Sequence, residues 1–486
     1  MSFEHQRPVP GWIAVCLSAL AAVMIQSGLA ASRPPNVVFL LADDLGWSDL
    51  GCYGSDLHET PNLDRLAREG VRFTQAYAMP LCSPTRASIL TGRHAARLHY
   101  TTWREAALER PHDRPLIPPP VIADLPASEI TIAEVLKGAG YLTFHVGKWH
   151  LGDAAHSPET QGFDVNIGGT HWGAPATYFH PFRGPSGSSG EFRYVPGLGL
   201  GKPGEHLDDR LTDEGLKLVG EAKDHPFFLN LCFHSPHTPI EGKKDLVEHF
   251  RGKLQPGLHH QNPFYAAMVQ TLDENVGRVL ADLDRRGLAD QTLVIFASDN
   301  GGYINTNRGL RVTDNWPLRS GKGALYEGGI RVPLIIRMPG VTTAGTTCDE
   351  PVNCTDFFPT IIDLCGLSKA YLPSAAKPLD GVSLVPLLRQ PSAHLQRDAL
   401  FFHYPHYYPT TTPVSAVRAG DWKLLEYFQD HHIEVYNLRD DPAEQHDLAT
   451  KEPERAAQLR TRLHDWWKEV GAQMPEPNPD YKAPGN

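Results

Sequence analysis

The chain has 486 residues, 41% of them hydrophobic and 21% charged, with Gly and Pro raised to 43 and 42. That is enough material for one large domain and a smaller one, and a loop-rich composition of this kind suits an α/β enzyme better than a helical bundle. A formal charge of −11 with no compensating basic stripe excludes nucleic acid as the main partner; an anionic ligand has to be drawn in by a local cluster or a metal.

Residues 1–30 read as an export signal. "MSFEHQRPVPGW" carries one Arg, "IAVCLSALAAVMI" is an apolar stretch, and "SGLAA" offers small residues for cleavage near Ala30. About thirteen apolar residues fall short of the twenty or so that a membrane span takes. No cysteine follows to carry a lipid, and no later segment is long enough to cross a membrane. The mature chain is expected to be exported, periplasmic or secreted, where disulfides are possible. Six cysteines remain: Cys52, Cys82, Cys232, Cys348, Cys354 and Cys365. Cys348–Cys354 is the nearest pair for one bridge, although sequence assigns no connectivity.

"PNVVFLLADDLG" (35–46) is a short apolar run stopping at two aspartates, which predicts a buried strand. "TIAEVLKGAG" predicts a helix with a Thr131/Glu134 capping box and Gly140 at its C-terminal end. It leads into "YLTFHVGKWHLG", a second strand, and "HPFFLNLCFHSPHTP" is another. "QTLVIFASDNGG" (291–302) repeats the first pattern: apolar run, Asp-Asn, then Gly-Gly. Strands alternating with helices and closing on polar residues predict an α/β sheet with its site at the strand ends. Residues 104–127 and 181–204 read as surface insertions that form rims of a cleft. After about residue 385 the pattern changes to short strands and turns, with a last helix near 451–470. The expected organisation is a catalytic α/β domain over 33–385 and a C-terminal subdomain over 386–486.

"LCSPTRASILTGR" (81–93) places Pro84 in the first turn of a predicted helix, Cys82 at its positive N-terminal end and Arg86 one turn further on the same face. Three readings of Cys82 are open on these residues alone. It can be a stabilised nucleophilic thiolate, a packed structural cysteine, or a precursor of another group. The phosphate-cradling cysteine phosphatases need five residues between Cys and Arg, and here position 88 is Ser.

"CSPTR" followed by "TGR" resembles the signature at which sulfatases have a cysteine oxidised to Cα-formylglycine. "GYLTFHVGKWHLG" (140–152) resembles a second element of that family, and "LADDLG", "SDNGG", "GKGALYEGGIRVP", "AVRAGDWKLL" and "YNLRDDPAEQHDLA" extend the resemblance from about residue 35 to the end. On these motifs the chain is identified as a member of the formylglycine-dependent sulfatases. The resemblance implies an α/β fold in which a large mixed β-sheet is flanked by helices, as in alkaline phosphatase. A smaller C-terminal subdomain of antiparallel sheet plus helix follows it. It also implies hydrolysis of a sulfate ester and maturation by a formylglycine-generating or sulfatase-maturating enzyme. A hydrated aldehyde at position 82 would offer one hydroxyl to attack sulfur and a second whose deprotonation expels sulfate.

Asp43, Asp44, Asp299 and Asn300 are hard oxygen donors that suit Ca²⁺ or Mg²⁺ better than Zn²⁺. The resemblance implies that these four and the modified residue 82 hold one divalent ion, usually Ca²⁺. It gives Lys148 a place on the sulfate and His150 a role as base near residue 82; the two project to one face if the backbone there is extended. It gives His237 of "HSPHTP" the protonation of the departing oxygen, with Lys322 assisting, and Arg86 the orientation of the hydrated aldehyde. His234 is a lesser substrate-binding candidate, as readily a rim or structural group. Specificity is expected from "GGTHWGAPATYFHPF" (168–182) and "FFHYPHYYPTTTP" (401–413), whose aromatics and histidines either bind sugar or pack the two domains together. A sulfated small molecule or polysaccharide, by preference a carbohydrate, is the expected substrate. The alternatives are a formylglycine-dependent phosphodiesterase or phosphonate monoester hydrolase, and a non-catalytic binder of sulfated glycans.

Overall fold

Strand β1 (Asn36–Ala42) is buried along its whole length. Val37, Phe39 and Leu41 enter one hydrophobic core, while Val38, Leu40 and Ala42 enter a second. Burial on both faces requires a central strand with helices on either side, which is why the run reads as continuous and not alternating. The computed structural model describes Met1 and residues 33–186, 190–367 and 378–482; the leader reading over 1–30 lies outside the described residues except for Met1.

The remaining strands of the sheet are β2 (Val71–Tyr77), β3 (Leu142–Gly147), β4 (Val165–Ile167), β5 (Phe227–Cys232), β6 (Thr292–Ser298), β7 (Arg331–Arg337), β8 (Thr346–Cys348) and β9 (Val352–Asn353). Their order is β8-β2-β7-β6-β1-β5-β3-β4, with β9 also pairing β2. β1 runs parallel to β5 and β6, and β3 parallel to β4 and β5. β7 is antiparallel to both its neighbours, which makes the sheet mixed. Helices α1 (Pro61–Glu69), α5 (Leu207–Ala222) and α6 (Pro263–Arg285) cover one face through Leu63, Leu211, Met268 and Leu272. Helices α2 (Cys82–Thr91), α4 (Ile132–Gly138) and α7 (Phe357–Leu364) cover the other, and α3 (Arg104–Glu109) lies between α2 and α4 in sequence. The expected Thr131/Glu134 capping box opens α4, with both reciprocal bonds present, and Gly140 takes φ +88 just past its end.

A second, antiparallel sheet of four strands follows: β10 (Leu400–Tyr404), β11 (Val414–Ala419), β12 (Trp422–Tyr427) and β13 (Ile433–Asn437). One face packs Phe402, Tyr404, Ala416 and Leu425 against Tyr77, Leu81 and Leu325. The other carries Val417, Leu424 and Val435 under helix α8 (Pro453–Val470) through Leu459, Leu463 and Trp466. Much of the 401–413 segment therefore packs, as one of its two readings had it. The Cys348–Cys354 bridge does not form: both cysteines are free thiols, as are Cys52, Cys82, Cys232 and Cys365. Cys348 ends an edge strand, whereas Cys354 opens the turn into α7, where its thiol donates to Asn353 Oδ1 at 3.3 Å. Among the described residues no helix is long and apolar enough to cross a membrane.

Candidate active site

Ala42 at the end of β1 pairs with Ser298 at the end of β6, so Asp43-Asp44 and Asp299-Asn300 leave the sheet side by side at its carboxyl edge. Asp44 takes a left-handed φ of +65, uncommon for a residue with a side chain. That turn lets its N–H donate to Asp299 Oδ1 at 3.2 Å, while its carbonyl accepts from Tyr265 Oη at 3.1 Å. All four polar residues are buried. Three cations answer them. Lys148 Nζ donates to Asp43 Oδ2 at 2.6 Å, Lys322 Nζ to Asp44 Oδ2 at 2.8 Å, and Arg86 grips Asp299 Oδ2 through Nε and Nη2 at 3.0 and 2.8 Å. The third Arg86 nitrogen, Nη1, donates to the Lys148 carbonyl at 2.8 Å. Arg86 is thus a tie between Asp299 and the Lys148 backbone.

Helix α2 begins at Cys82 and ends on Gly92, and every residue in it is buried. Cys82 Sγ lies 3.2 Å from His150 Nδ1. Burial pushes its thiol up, but Lys148, His150 and Lys322 outweigh that and bring it down to about 6. Lys148 and His150 reach the site by a route other than the expected extended strand. β3 ends at Gly147, which takes φ +98, and His150 takes φ +59. A Cβ on Gly147 would fall 1.9 Å from the Cys232 carbonyl oxygen, so only glycine lets the chain bend there. Two bonds then hold the His150 backbone: its N–H donates to the Thr170 carbonyl at 2.9 Å, and its carbonyl accepts from Ser83 Oγ at 2.9 Å.

His237 Nε2 lies 3.6 Å from Asp44 Oδ2, and its Nδ1 is 2.8 Å from the Thr238 carbonyl oxygen. Burial, Lys322 and Lys148 hold this imidazole well below the usual histidine range, although Asp44 pulls the other way. His234 is no rim residue. It is 4% exposed, and neither ring nitrogen has a hydrogen-bond partner. Asp208 accepts from the His234 and Ser235 amides, and Tyr178 Oη donates to the His234 and His237 carbonyls, so the "HSPH" turn is fixed from below. The structure thus brings Asp43, Asp44, Cys82, Arg86, Lys148, His150, His237, Asp299, Asn300 and Lys322 to one place, with His234 buried in the turn that carries His237.

The donor set fits a hard divalent cation. Asp43 Oδ1 and Asn300 Oδ1 are buried oxygens without a hydrogen-bond partner. Acceptors of Asp43, Asp299 and Cys82 lie within 4.8 Å of one another. Burial pushes the Asp43 carboxyl well up against the pull of Lys148, and the Asp299 and Asp44 charges add to the rise. A carboxyl so placed gains from a cation close by.

Above these groups opens a cavity of about 650 Å³. Lys322, His150, His237 and Cys82 form its floor; Trp103, Glu105, Glu109, Ala174, Arg193 and Tyr408 are among its walls. The insertions read as rims supply several of these: α3 gives Glu105, and a hairpin of Arg183–Ser186 with Glu191–Tyr194 gives Arg193. Sequence reading missed the individual wall residues. Only their location in charged or aromatic insertions pointed to them.

Known proteins fall in line with this geometry. The family model described as Sulfatase matches residues 35–367, and one described as N-sulphoglucosamine sulphohydrolase, C-terminal, matches 320–473. A "Sulfatase" of Formosa agariphila is 32% identical over 90% of this chain and 89% of its own, and arylsulfatase A of Homo sapiens is 36% identical over 83% and 77%. Among solved structures, Ps i-CgsB in complex with k-i-k-neocarrahexaose superposes with a TM-score of 0.75 at 28% identity, covering 92% of this chain and 95% of that one. A match over most of the chain, from strand β1 to helix α8, settles the class of enzyme: this chain belongs to the sulfatase family and is a hydrolase of sulfate esters.

Proposed function

We propose that the protein removes sulfate from an O-sulfated carbohydrate, using a Cα-formylglycine made from Cys82 and one divalent cation, Ca²⁺ by preference. The observation that carries this reading is the convergence of Cys82 at a helix N-terminus with four hard oxygen donors, two of them without hydrogen-bond partners, under a cavity large enough for a sugar. Asp43, Asp44, Asp299 and Asn300 would hold the cation, which when bound polarises the sulfate and the attacking oxygen. The modified residue 82 supplies a nucleophile that can release its sulfate again.

The chain's own residues do the rest. Lys322, on the cavity floor and pinned by Asp44, meets the sulfate oxygens as charge builds on them, and Lys148, buried against Asp43, adds its positive field; one such contact is typically worth about 3 kcal/mol. His237 spends Nδ1 on the Thr238 carbonyl, so Nε2 is the nitrogen that serves the departing oxygen. An arriving anion offsets the two lysines and lets this ring carry a proton. Arg86 keeps Asp299 aimed at the cation position. The aromatic rings of Trp103 and Tyr408, with Glu109 and Arg193, form walls of the kind that stack on and hydrogen-bond to a pyranose.

The test is mass spectrometry of the peptide containing residue 82 in protein co-expressed with a maturation enzyme. A loss of about 18 Da relative to the thiol form is expected, because formylglycine carries an oxygen where cysteine has sulfur plus two hydrogens. The same preparation should desulfate a monosulfated sugar, lose that activity in a chelator and regain it with Ca²⁺. Full turnover with an intact thiol would overturn the reading.

A further inference from the structure

We propose that Glu105 is a positioning residue that holds the His150 ring in the Nε2–H tautomer, so that Nδ1 presents a lone pair to residue 82. The proposal rests on the reading of residue 82 as the reacting group.

Three groups stand in line. His150 Nδ1 lies 3.2 Å from Cys82 Sγ, and on the other side of the ring His150 Nε2 faces Glu105 Oε2 at 4.0 Å. Both Nε2 and Oε2 are buried atoms with no hydrogen-bond partner of their own. Each lacks what the other offers: a ring N–H has no acceptor, and a carboxylate oxygen has no donor. Gaps of this length are common where a catalytic hydrogen bond tightens only when substrate binds. Closing this one takes a small rotation of a side chain that ends a flexible stem.

The surroundings keep the line straight. Helix α3, which carries Glu105, is anchored by its neighbour Arg104 on Asp124 Oδ1 at 2.8 Å and Asp153 Oδ2 at 3.3 Å. Trp103, just before it, packs edge-on against Tyr408 at 5.9 Å between ring centroids. Across the ring, a Cβ on Gly173 would lie 2.4 Å from His150 Cε1 and 2.7 Å from Nε2, so bare backbone closes on the imidazole and limits its rotation. Burial alone would raise the Glu105 carboxyl, yet the hydrogen bond it can accept from the adjacent ring lowers it, so the group is an anionic acceptor. A histidine that donates one nitrogen to a carboxylate has its tautomer fixed and its other nitrogen made more basic. Without that acceptor the ring is free to place its proton on Nδ1, where it cannot take one from residue 82.

The tautomer is read directly from ¹⁵N chemical shifts of the imidazole at pH 8. The sample is the Cys82→Ser chain, whose hydroxyl cannot form a thiolate, with His150 assigned by its loss in His150→Gln. The expected result is Nε2–H in the parent chain, a shift toward Nδ1–H in Glu105→Ala, and retention of Nε2–H in Glu105→Gln, whose amide oxygen still accepts. On the matured enzyme with 4-nitrophenyl sulfate, Glu105→Ala should lower kcat about 10- to 100-fold with KM within twofold, and Glu105→Gln should recover most of it. An unchanged tautomer in Glu105→Ala, or Nδ1–H in the parent, overturns the proposal. So does an effect confined to KM on sugar sulfates with the aryl sulfate untouched, because that would make Glu105 a sugar-binding group. If the matured parent fails to cleave either substrate, the function proposed above fails, while the ¹⁵N result still decides this one.

Discussion

Two clusters of buried acids and histidines sit on the same strand-end loop, and only one of them has the makings of a site. The first is the Asp43–Asp44–Asp299 group. The second, a few residues on, is Asp49 with His58 and His260, whose ligand atoms are also close enough together to surround an ion. In the second cluster both carboxylate oxygens of Asp49 are met from within, and His260 Nε2, which has no hydrogen-bond partner, faces one of them as an ion pair. Asp49 Oδ1 accepts from Thr313 at 2.6 Å and faces His260 Nε2 at 3.2 Å, while Oδ2 accepts from Tyr265 Oη and the Gly46 amide, both at 2.6 Å. His260 Nδ1 lies 2.7 Å from Asp56 Oδ1, which completes an acid–base–acid line. In the first cluster Asp43 Oδ1 and Asn300 Oδ1 accept nothing, and a cavity opens above. Tyr265 joins the two, donating to Asp49 and to the Asp44 carbonyl. The lesson is that residue types do not define a site. Unmet bonding capacity beside an opening does.

Substitutions should separate the clusters cleanly. The largest effect is expected from Cys82→Ala, which removes the reacting group: kcat for any sulfate ester falls on the order of 10⁴-fold or more, while the thermal midpoint stays close to that of the parent. Residual turnover within a hundredfold of the parent would show that the open cluster does not work through this residue. Asp49→Ala should do the reverse. It strands His260 beside a single acid, takes the acceptor from Thr313 and leaves Tyr265 only the Asp44 carbonyl, at a cost of about 3–5 kcal/mol in urea unfolding. A loss below about 1 kcal/mol would mean that the closed cluster does little for the fold.

The pH dependence of stability gives the smallest and most specific comparison. Burial works against a charge on His260, but Asp49 and Asp56 overcome it and lift the ring to about 9. Burial and the neighbouring His260 charge push His58 down to about 4. The His260 contribution is complete below the unfolded histidine value of about 6.5 and is lost as pH rises through 9. For His58 the unfolded chain binds the extra proton, so stability is lost as pH falls from about 6.5 through 4. The contributions of His58 and His260 to stability should therefore be largest near pH 6.5 and decline on either side, each by no more than about 3 kcal/mol. His260→Gln should flatten the alkaline limb of the thermal midpoint; a limb that survives in that variant would assign it to another group.

Much of this was legible in the residues themselves. The apolar run at 36–42 reads as a buried strand because nothing polar interrupts it, and the helix at 82–91 because Pro84 suits its first turn. Thr131 and Glu134 announce a capping box because both partners lie within one turn. The site acids at 43, 44, 299 and 300 follow from strand ends plus motif. What failed were inferences about shape at longer range. Extended backbone from Lys148 to His150 is overridden by the close approach of Gly147 to the Cys232 carbonyl. His234 read as a substrate-binding, rim or structural group, and only the fold chooses among these: Tyr178 and Asp208, distant in sequence, draw its turn under the surface. Glu105 carried no signal at all beyond lying in a charged insertion.

The sequence by itself determined which atoms are available: the cysteine that heads a helix, the hard oxygens at two strand ends, the lysines and histidines in their motifs. Local periodicity, caps and motif spacing encode these, and they act over a few residues at a time. Only the tertiary structure decided which oxygens stay unsatisfied, which aspartate is closed off by tyrosine, threonine and histidine, and which carboxylate comes to face the His150 ring. Those outcomes depend on contacts between segments up to hundreds of residues apart, where the cost of burying a polar group is met or left unmet by whatever the fold brings alongside.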